Sequence, residues 1–313
     1  KGMSIILDGV FNHTGDDSLY FNKYGKYDSN GACNCESSPY RDWFNFKCYH
    51  CDYDSWWGID VLPKLNQNNE NCLNYFTGEN GVIEKYTKMG IGGWRLDVAD
   101  ELPDEFLYRL RECVHKNSNG QGIVIGEVWE NAAVKTAYGK RRNYFHGRQL
   151  DSVMNYPLRN GIIEFVTYGS AEMLYNVLVE LYTSYPRCVC DSLMNILGTH
   201  DTERILTVLG DNYRPDMPND YLAVMRMTSQ ERENAIKRLK MAAILQYTVY
   251  GIPSVFYGDE AGMEGYHDPF CRRPFPWGRE NTELLEHYKK LGELRVIEKA
   301  FDRGSFRVIE YGK

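Results

Sequence analysis

Gly92-Gly93-Trp94-Arg95-Leu96-Asp97-Val98-Ala99-Asp100-Glu101 is the stretch that decides the fold. Paired glycines open a short, mostly apolar segment that carries Arg95 and Asp97 two residues apart. On a strand, side chains alternate faces, so these two project the same way. A neighbouring guanidinium holds a carboxylate ionised. Alone, the pair reads as a structural salt bridge. A carboxylate kept anionic at the end of a buried strand is also a candidate nucleophile, and the neighbouring segments favour that second reading.

Working outward, five further apolar segments read as strands, at residues 3–8, 123–128, 152–156, 193–198 and 252–257, beside 91–97. Amphipathic helical patterns separate them. Residues 81–89 form one, and Pro103 to about His115 another, with Phe106, Leu107, Leu110 and Val114 at helical spacing. Further patterns run over Ala171–Tyr182, 231–248 and 282–297. Strands alternating with helices imply a parallel sheet with helices outside it. The fold class expected is α/β, a barrel of parallel strands.

Residues 14–76 differ in kind. They are rich in Asn, Asp, Ser, Tyr, Trp and Cys and have little periodicity, so they read as an inserted, loop-rich subdomain. Aromatic knots at Ser38–Phe44 and Ser55–Gly58 suit a small core, with a minority of rings left to face a ligand. Cys33-x-Cys35 and Cys48-x-x-Cys51 lie here, with His50 beside them. A four-thiolate zinc site is the first reading of that spacing. Local disulfides are the second, and free thiols the third. Nine cysteines, an odd number, exclude a fully paired framework in a monomer. Plentiful thiols lean towards a reducing cytoplasm, whereas a polymeric substrate would favour secretion.

Bulk composition narrows the partners. The 313 residues carry a net charge of −7, which argues against nucleic acid. No run is long and apolar enough to suggest a membrane span. Hydrophobic content of 43% suits a packed core, and aromatic content of 14% suits either that core or sugar stacking. The chain opens at Lys1 almost inside a strand, and the pattern of Phe306–Tyr311 reads as the start of another. The expectation is a portion of a longer protein.

Four of the six strands end in carboxylate or histidine: Asp8 with His13, Asp97, Glu127, and His200 with Asp201. In a barrel of parallel strands such ends converge on one face. Converging carboxylates repel and must be desolvated, so structure alone explains them poorly. Glycoside hydrolysis needs one carboxylate ionised and another kept protonated. Arg95 would keep Asp97 anionic. Glu127, beside Trp129 and near Asp97, would have its pKa raised, as an acid/base catalyst requires.

These stretches resemble the α-amylase family of glycoside hydrolases. Asp8-Gly-Val-Phe-Asn-His13, Gly93-Trp-Arg-Leu-Asp97, Gly126-Glu-Val-Trp129 and Thr199-His-Asp201 are similar to the family's four shared regions, in order. The resemblance implies a (β/α)8 TIM barrel that lacks its first two strands in this sequence. Residues 1–13 and 77–300 would form the barrel, 14–76 the inserted B domain, and 301–313 the start of a C-terminal β domain. It also implies that Asp97 is the nucleophile, Glu127 the general acid/base and Asp201 a stabiliser. Arg95, His13 and His200 would line the subsite of the distorted sugar, with Asp8 in support. Asp268 and Arg272 would contact the neighbouring sugar.

Leu62-Pro-Lys-Leu-Asn66 resembles a motif of the neopullulanase, cyclomaltodextrinase and maltogenic-amylase branch, with one residue changed. The implied function is a retaining α-glucan hydrolase that cleaves α-1,4 bonds, with α-1,6 bonds as an option, in maltodextrin, starch, pullulan or cyclodextrin through a covalent glycosyl-aspartate intermediate. The alternatives are a glucanotransferase or branching enzyme, and a non-catalytic glucan-binding fragment. No cofactor is implied for the chemistry. Asn12 matches one family calcium ligand, but Val98-Ala-Asp-Glu101 departs from the Lys-His of calcium-dependent members. Related enzymes often dimerise through an N-terminal domain, so oligomerisation is implied as an option.

Overall fold

The computed structural model describes residues 2–146 and 148–307, without the side chains of 302 and 303. The strand expected at 306–311 falls largely outside the described residues. The chain divides into two compact units, residues 1–153 and 154–313.

In the first unit, strands β1 (Ile6–Gly9), β4 (Gly93–Leu96), β5 (Ile123–Gly126) and β8 (Ser152–Val153) form a parallel sheet in the order β1-β4-β5-β8. Between β1 and β4 lie a short hairpin, β2 (Phe46–Cys48) and β3 (Asp52–Tyr53), and helices α1 (Glu70–Thr77) and α2 (Val82–Lys88). Helix α3 (Asp104–Asn117) joins β4 to β5. A second hairpin, β6 (Thr136–Ala137) and β7 (Lys140–Arg141), precedes β8.

Local chemistry accounts for these elements. Phe106, Leu107, Leu110 and Val114 form the fully buried stripe of α3. Asp104 and Glu105 in its first turn, with His115 and Lys116 in its last, complement the helix dipole. Gly93 lets β4 approach β5: a Cβ there would stand 2.1 Å from the Ile123 carbonyl oxygen. In the insertion, buried Phe21 meets Tyr53 at 4.7 Å and Phe44 at 4.9 Å between ring centroids. Most of the insertion's aromatics therefore pack its own core, as its thin apolar content requires.

The second unit begins with α4 (Tyr156–Tyr168) and continues through α5 (Ala171–Ser184) and α6 (Arg187–Ser192) to β9 (Met194–Ile196). Helices α7 (Ile205–Val208), α8 (Asn219–Val224) and α9 (Ser229–Thr248) lead to β10 (Ile252–Ser254), which pairs with β9 in parallel. Helix α10 (Thr282–Ile297) packs Tyr288 and Leu291 on Ala243 of α9, and a last short helix, α11 (Ala300–Arg303), follows. Gln246 of α9 bonds the carbonyls of Asn195 and Ser254, fastening that helix to both strands.

All six expected strands occur, and every pairing among them is parallel. The segment 152–156 is the one that differs. Strand ends at Val153, and Asn155 caps α4 by accepting the Leu158 N–H, with Pro157 in the first turn. A capping Asn followed by proline starts a helix more effectively than it extends a strand. Among the described residues, no helix is long and apolar enough to cross a membrane.

Candidate active site

In the first unit Asp8, Asp97 and Glu127 gather around one guanidinium. Register pairs Asp8 of β1 with Arg95 of β4, and Leu96 with Gly126 of β5. Asp97 and Glu127 are thus the first residues beyond neighbouring parallel strands. Arg95 Nη1 donates to Asp8 Oδ1 at 2.7 Å and to Asp97 Oδ1 at 2.8 Å. Its Nη2 lies 2.8 Å from Glu127 Oε2 as an ion pair without hydrogen-bond alignment. Arg95 is only 9% exposed. Burial opposes its charge, but Glu127, Asp8 and Asp97 prevail and raise its pKa. The expected Arg95–Asp97 pair is present, and it is part of a four-residue network.

Glu127 is 5% exposed. Its Oε2 accepts the Val98 N–H at 2.9 Å and its Oε1 accepts Trp129 Nε1–H at 3.0 Å. Burial pushes its pKa up and Asp97 adds to the rise, while Arg95, the Val98 amide and the Trp129 N–H oppose it. The direction matches the sequence-based expectation, but the part played by Trp129 is reversed. Its indole N–H favours the ionised form.

Val98 was not singled out by sequence. It adopts a left-handed backbone, φ 41° and ψ 57°, which a β-branched residue rarely accepts. That conformation is paired with an amide aimed at Glu127, and strain of this kind concentrates at functional sites. No pattern in the sequence signals it.

His13 stacks on Trp56 at 4.9 Å with an interplanar angle of 12°. Burial lowers its pKa, against Asp97 and Glu101. Asn12 is fully buried, and its Oδ1 has no hydrogen-bond partner. One carbonyl oxygen does not make a calcium site, which needs about six to eight oxygen ligands. Among the described residues, no group of three or more His, Cys, Asp or Glu side chains could hold a metal ion.

The same finding corrects the zinc expectation. Cys33, Cys35, Cys48 and Cys51 are not gathered about one point. Buried Cys33 directs its thiol at the His50 carbonyl, 3.7 Å away, and Cys35 lies beside Ser37 Oγ at 3.3 Å. Only Cys48 and Cys51 meet, with sulfurs 2.7 Å apart on the exposed β2–β3 turn. The tight hairpin brings together its own two thiols, while Cys33 turns into the subdomain's interior.

The second unit forms its own cluster from residues that follow β9 and β10. His200 Nε2 lies 3.2 Å from Asp201 Oδ2, and Arg272 Nη2 3.6 Å from Asp201 Oδ1. Arg272 Nε donates to Asp268 Oδ1 at 2.7 Å and to the His200 carbonyl at 3.1 Å. Arg272 thus links all four predicted residues of this unit. Beneath them, fully buried Arg204 pairs with Asp259 at 3.1 Å. Burial lifts the Asp259 carboxyl to about 7, against the pull of Arg204. Arg204 sits three residues after Asp201, yet nothing in its spacing announced a fully buried cation.

Comparison with known proteins places these clusters in context. The family model described as the alpha amylase catalytic domain matches residues 1–293. The chain is 36% identical to an amylopullulanase of Thermoanaerobacter thermohydrosulfuricus, over 99% of this chain and 22% of that protein. It is 33% identical to neopullulanase 2 of Thermoactinomyces vulgaris, over 98% of this chain and 47% of that protein. The chain therefore spans about a fifth to a half of the curated relatives it matches. Among solved structures, the cyclic α-maltosyl-(1→6)-maltose hydrolase of Arthrobacter globiformis superposes with a TM-score of 0.80 at 27% identity. That match covers 97% of this chain and 61% of the other. The type III pullulan hydrolase of Thermococcus kodakarensis gives 0.79 at 29% identity, covering 97% and 50%. These relatives imply a TIM barrel, in keeping with the parallel strands and intervening helices. With a family model spanning most of its length and relatives above 30% identity along nearly all of it, the chain belongs to the α-amylase family.

Proposed function

We propose that this chain carries the catalytic centre of a retaining α-glucan hydrolase. The substrate class is starch, pullulan, maltodextrin or cyclodextrin, with cleavage of α-1,4 bonds and, as the second option, α-1,6 bonds. The observation that carries the reading is Arg95, whose guanidinium fork contacts both Asp97 and Glu127 while Glu127 stays buried and its pKa raised. One carboxyl is paired through a directed, charge-assisted hydrogen bond, and the other is biased towards its protonated form. That is the division of labour a retaining glycosidase needs.

In the first step, Asp97 attacks the anomeric carbon as Glu127 gives its proton to the glycosidic oxygen. The bond to the leaving sugar breaks, and a glycosyl–Asp97 ester forms. In the second step, Glu127 takes a proton from water, which displaces Asp97 and restores the starting configuration. Asp201 would stabilise the positive charge developing on the sugar ring. Asp8 and Arg95 hold the carboxyls in place, and His13, Trp129, His200, Asp268 and Arg272 would contact sugar. No step needs a metal or organic cofactor.

The same reading treats residues 14–76 as the family's B domain. It assigns the chain the (β/α)8 barrel of the family.

The test is Asp97→Asn in the full-length protein. Hydrolysis of maltooligosaccharides should fall by several orders of magnitude, with binding retained. Wild-type turnover by a pure preparation of the variant would refute the assignment. Longer oligomers formed from maltotriose would move the enzyme into the transferase class.

A further inference from the structure

Two aromatic rings in the first unit stand out from solvent instead of packing. Trp57 is 77% exposed and Tyr138 is 73% exposed. Each occupies a left-handed backbone conformation at φ 52°, which bulky residues seldom adopt. Tyr138 and Gly139 (φ 75°) are the two central residues of the β6–β7 hairpin, whose turn requires positive φ at both. Asparagine and glycine are the usual occupants of such a turn. A tyrosine there gives up conformational ease to present its ring at the tip.

Both rings stand beside one carboxylate. The Tyr138 hydroxyl donates to Glu101 Oε1, and Trp57 is near enough to help hold Glu101 ionised, after Lys64 and Tyr138. Lys64 Nζ holds Glu101 Oε2 at 2.8 Å and lies 5.7 Å from the Tyr138 ring centroid. Trp57 is backed by Trp56, with ring centroids 5.0 Å apart. Each ring therefore has a support and most of its surface in water.

The hairpin is pinned to the segment that follows Asp97. Lys135 Nζ reaches Asp100 Oδ2 at 2.9 Å, and Arg142 Nη2 donates to the Leu102 carbonyl at 2.7 Å. The aromatic run leads back to His13, on which Trp56 stacks at 4.9 Å and which feels the Asp97 charge. Satisfied polar edges and exposed faces are what a pyranose ring needs, because its C–H face is apolar and its rim is hydroxyl.

We propose that Trp57 and Tyr138, oriented by the Lys64–Glu101 pair, form a stacking platform for a glucose ring of an α-glucan extending from the Asp97–Glu127 centre. The proposal rests on the glucan-hydrolase reading and adds two binding residues to it.

The experiment compares kcat/KM on maltotriose and maltoheptaose for full-length wild type, Trp57→Ala, Tyr138→Ala and Tyr138→Phe. Melting temperatures identify any variant that fails to fold. Each alanine variant should lose about five- to tenfold more on maltoheptaose than on maltotriose, expressed mainly in KM. Tyr138→Phe keeps the ring and should recover most of that difference. Equal losses on both sugars, or no loss, would overturn the platform, as would an effect at only one of the two positions. If Tyr138→Phe behaved like Tyr138→Ala, the hydroxyl and not the ring would matter, and stacking would be refuted. A wild-type protein inactive on both sugars would instead refute the hydrolase reading itself.

Discussion

Replacing Trp129 by Phe separates two accounts of the acid/base residue. If the indole raises the Glu127 pKa as an apolar neighbour, Phe should leave that pKa in place. The structure says otherwise, because Trp129 Nε1–H donates to Glu127 Oε1 at 3.0 Å. Phe keeps an apolar ring and removes the donor. A hydrogen bond to a charged group contributes roughly 1.5–3 kcal/mol when fully buried. Trp129 is 45% exposed, so water can replace part of what is lost. The remaining effect, on the order of 0.7–1.4 kcal/mol, corresponds to about half to one pH unit. Its sign follows from the chemistry. Losing a bond that favours the carboxylate raises the pKa. Glu127 must be protonated for the first step, so the alkaline limb of the kcat/KM profile should move to higher pH. The assay is a pH series of initial rates on a chromogenic maltooligosaccharide. A limb that stays in place or moves to lower pH would refute the assigned role of the indole.

Glu127 also links activity to stability. Its pKa is raised in the folded protein, chiefly by burial. Such a group contributes stability below the ordinary glutamate range, near pH 4.3, and loses it as pH rises through the folded value. The melting temperature of wild type relative to Glu127→Gln should therefore fall across that window; a rise would contradict the burial argument. At Val98 the usual ranking of Ala over Gly should invert. With φ at 41°, Val98→Gly should be more stable than Val98→Ala by about 1 kcal/mol in chemical denaturation. Cys48 and Cys51, with sulfurs 2.7 Å apart, should be oxidised by a small-molecule disulfide with loss of two hydrogens, and Cys48→Ser should prevent this. The same four-cysteine region should hold no stoichiometric zinc by elemental analysis, and chelator should leave the melting temperature unchanged.

Much of this architecture was legible because it is written in periodicity. The α3 stripe and the apolar strand cores follow from burial patterns that a linear sequence carries directly. The site was legible for a related reason: strand ends place their polar residues predictably, so Asp8, Arg95 and Asp97 could be grouped before their contacts were known. What could not be read lies in direction. Whether Trp129 offers Glu127 its apolar ring or its N–H depends on a side-chain rotation. The left-handed backbone of Val98, Trp57 and Tyr138 is unfavourable for all three residue types, so local preference pointed away from it. The cysteine spacing suited zinc, but spacing does not record which way a thiol turns. The hairpin turned Cys48 and Cys51 towards each other, whereas Cys33 went inward.

The Arg95 network is better explained by chemistry than by stability. A buried cation with three carboxylates carries a desolvation cost that its attractions only partly offset, and apolar residues of similar size would often do as well or better. If Arg95 merely neutralised Asp97, one bond would suffice. Instead Nη1 serves Asp8 and Asp97, while Nη2 lies against Glu127. The half-exposed Asp8 helps to fix the guanidinium, and the guanidinium in turn fixes the two carboxyls that matter. Lysine could supply the charge but not the planar fork. Arg95→Lys should thus retain most of the fold and lose most of kcat. A variant that kept both fold and rate would show that charge alone organises the centre.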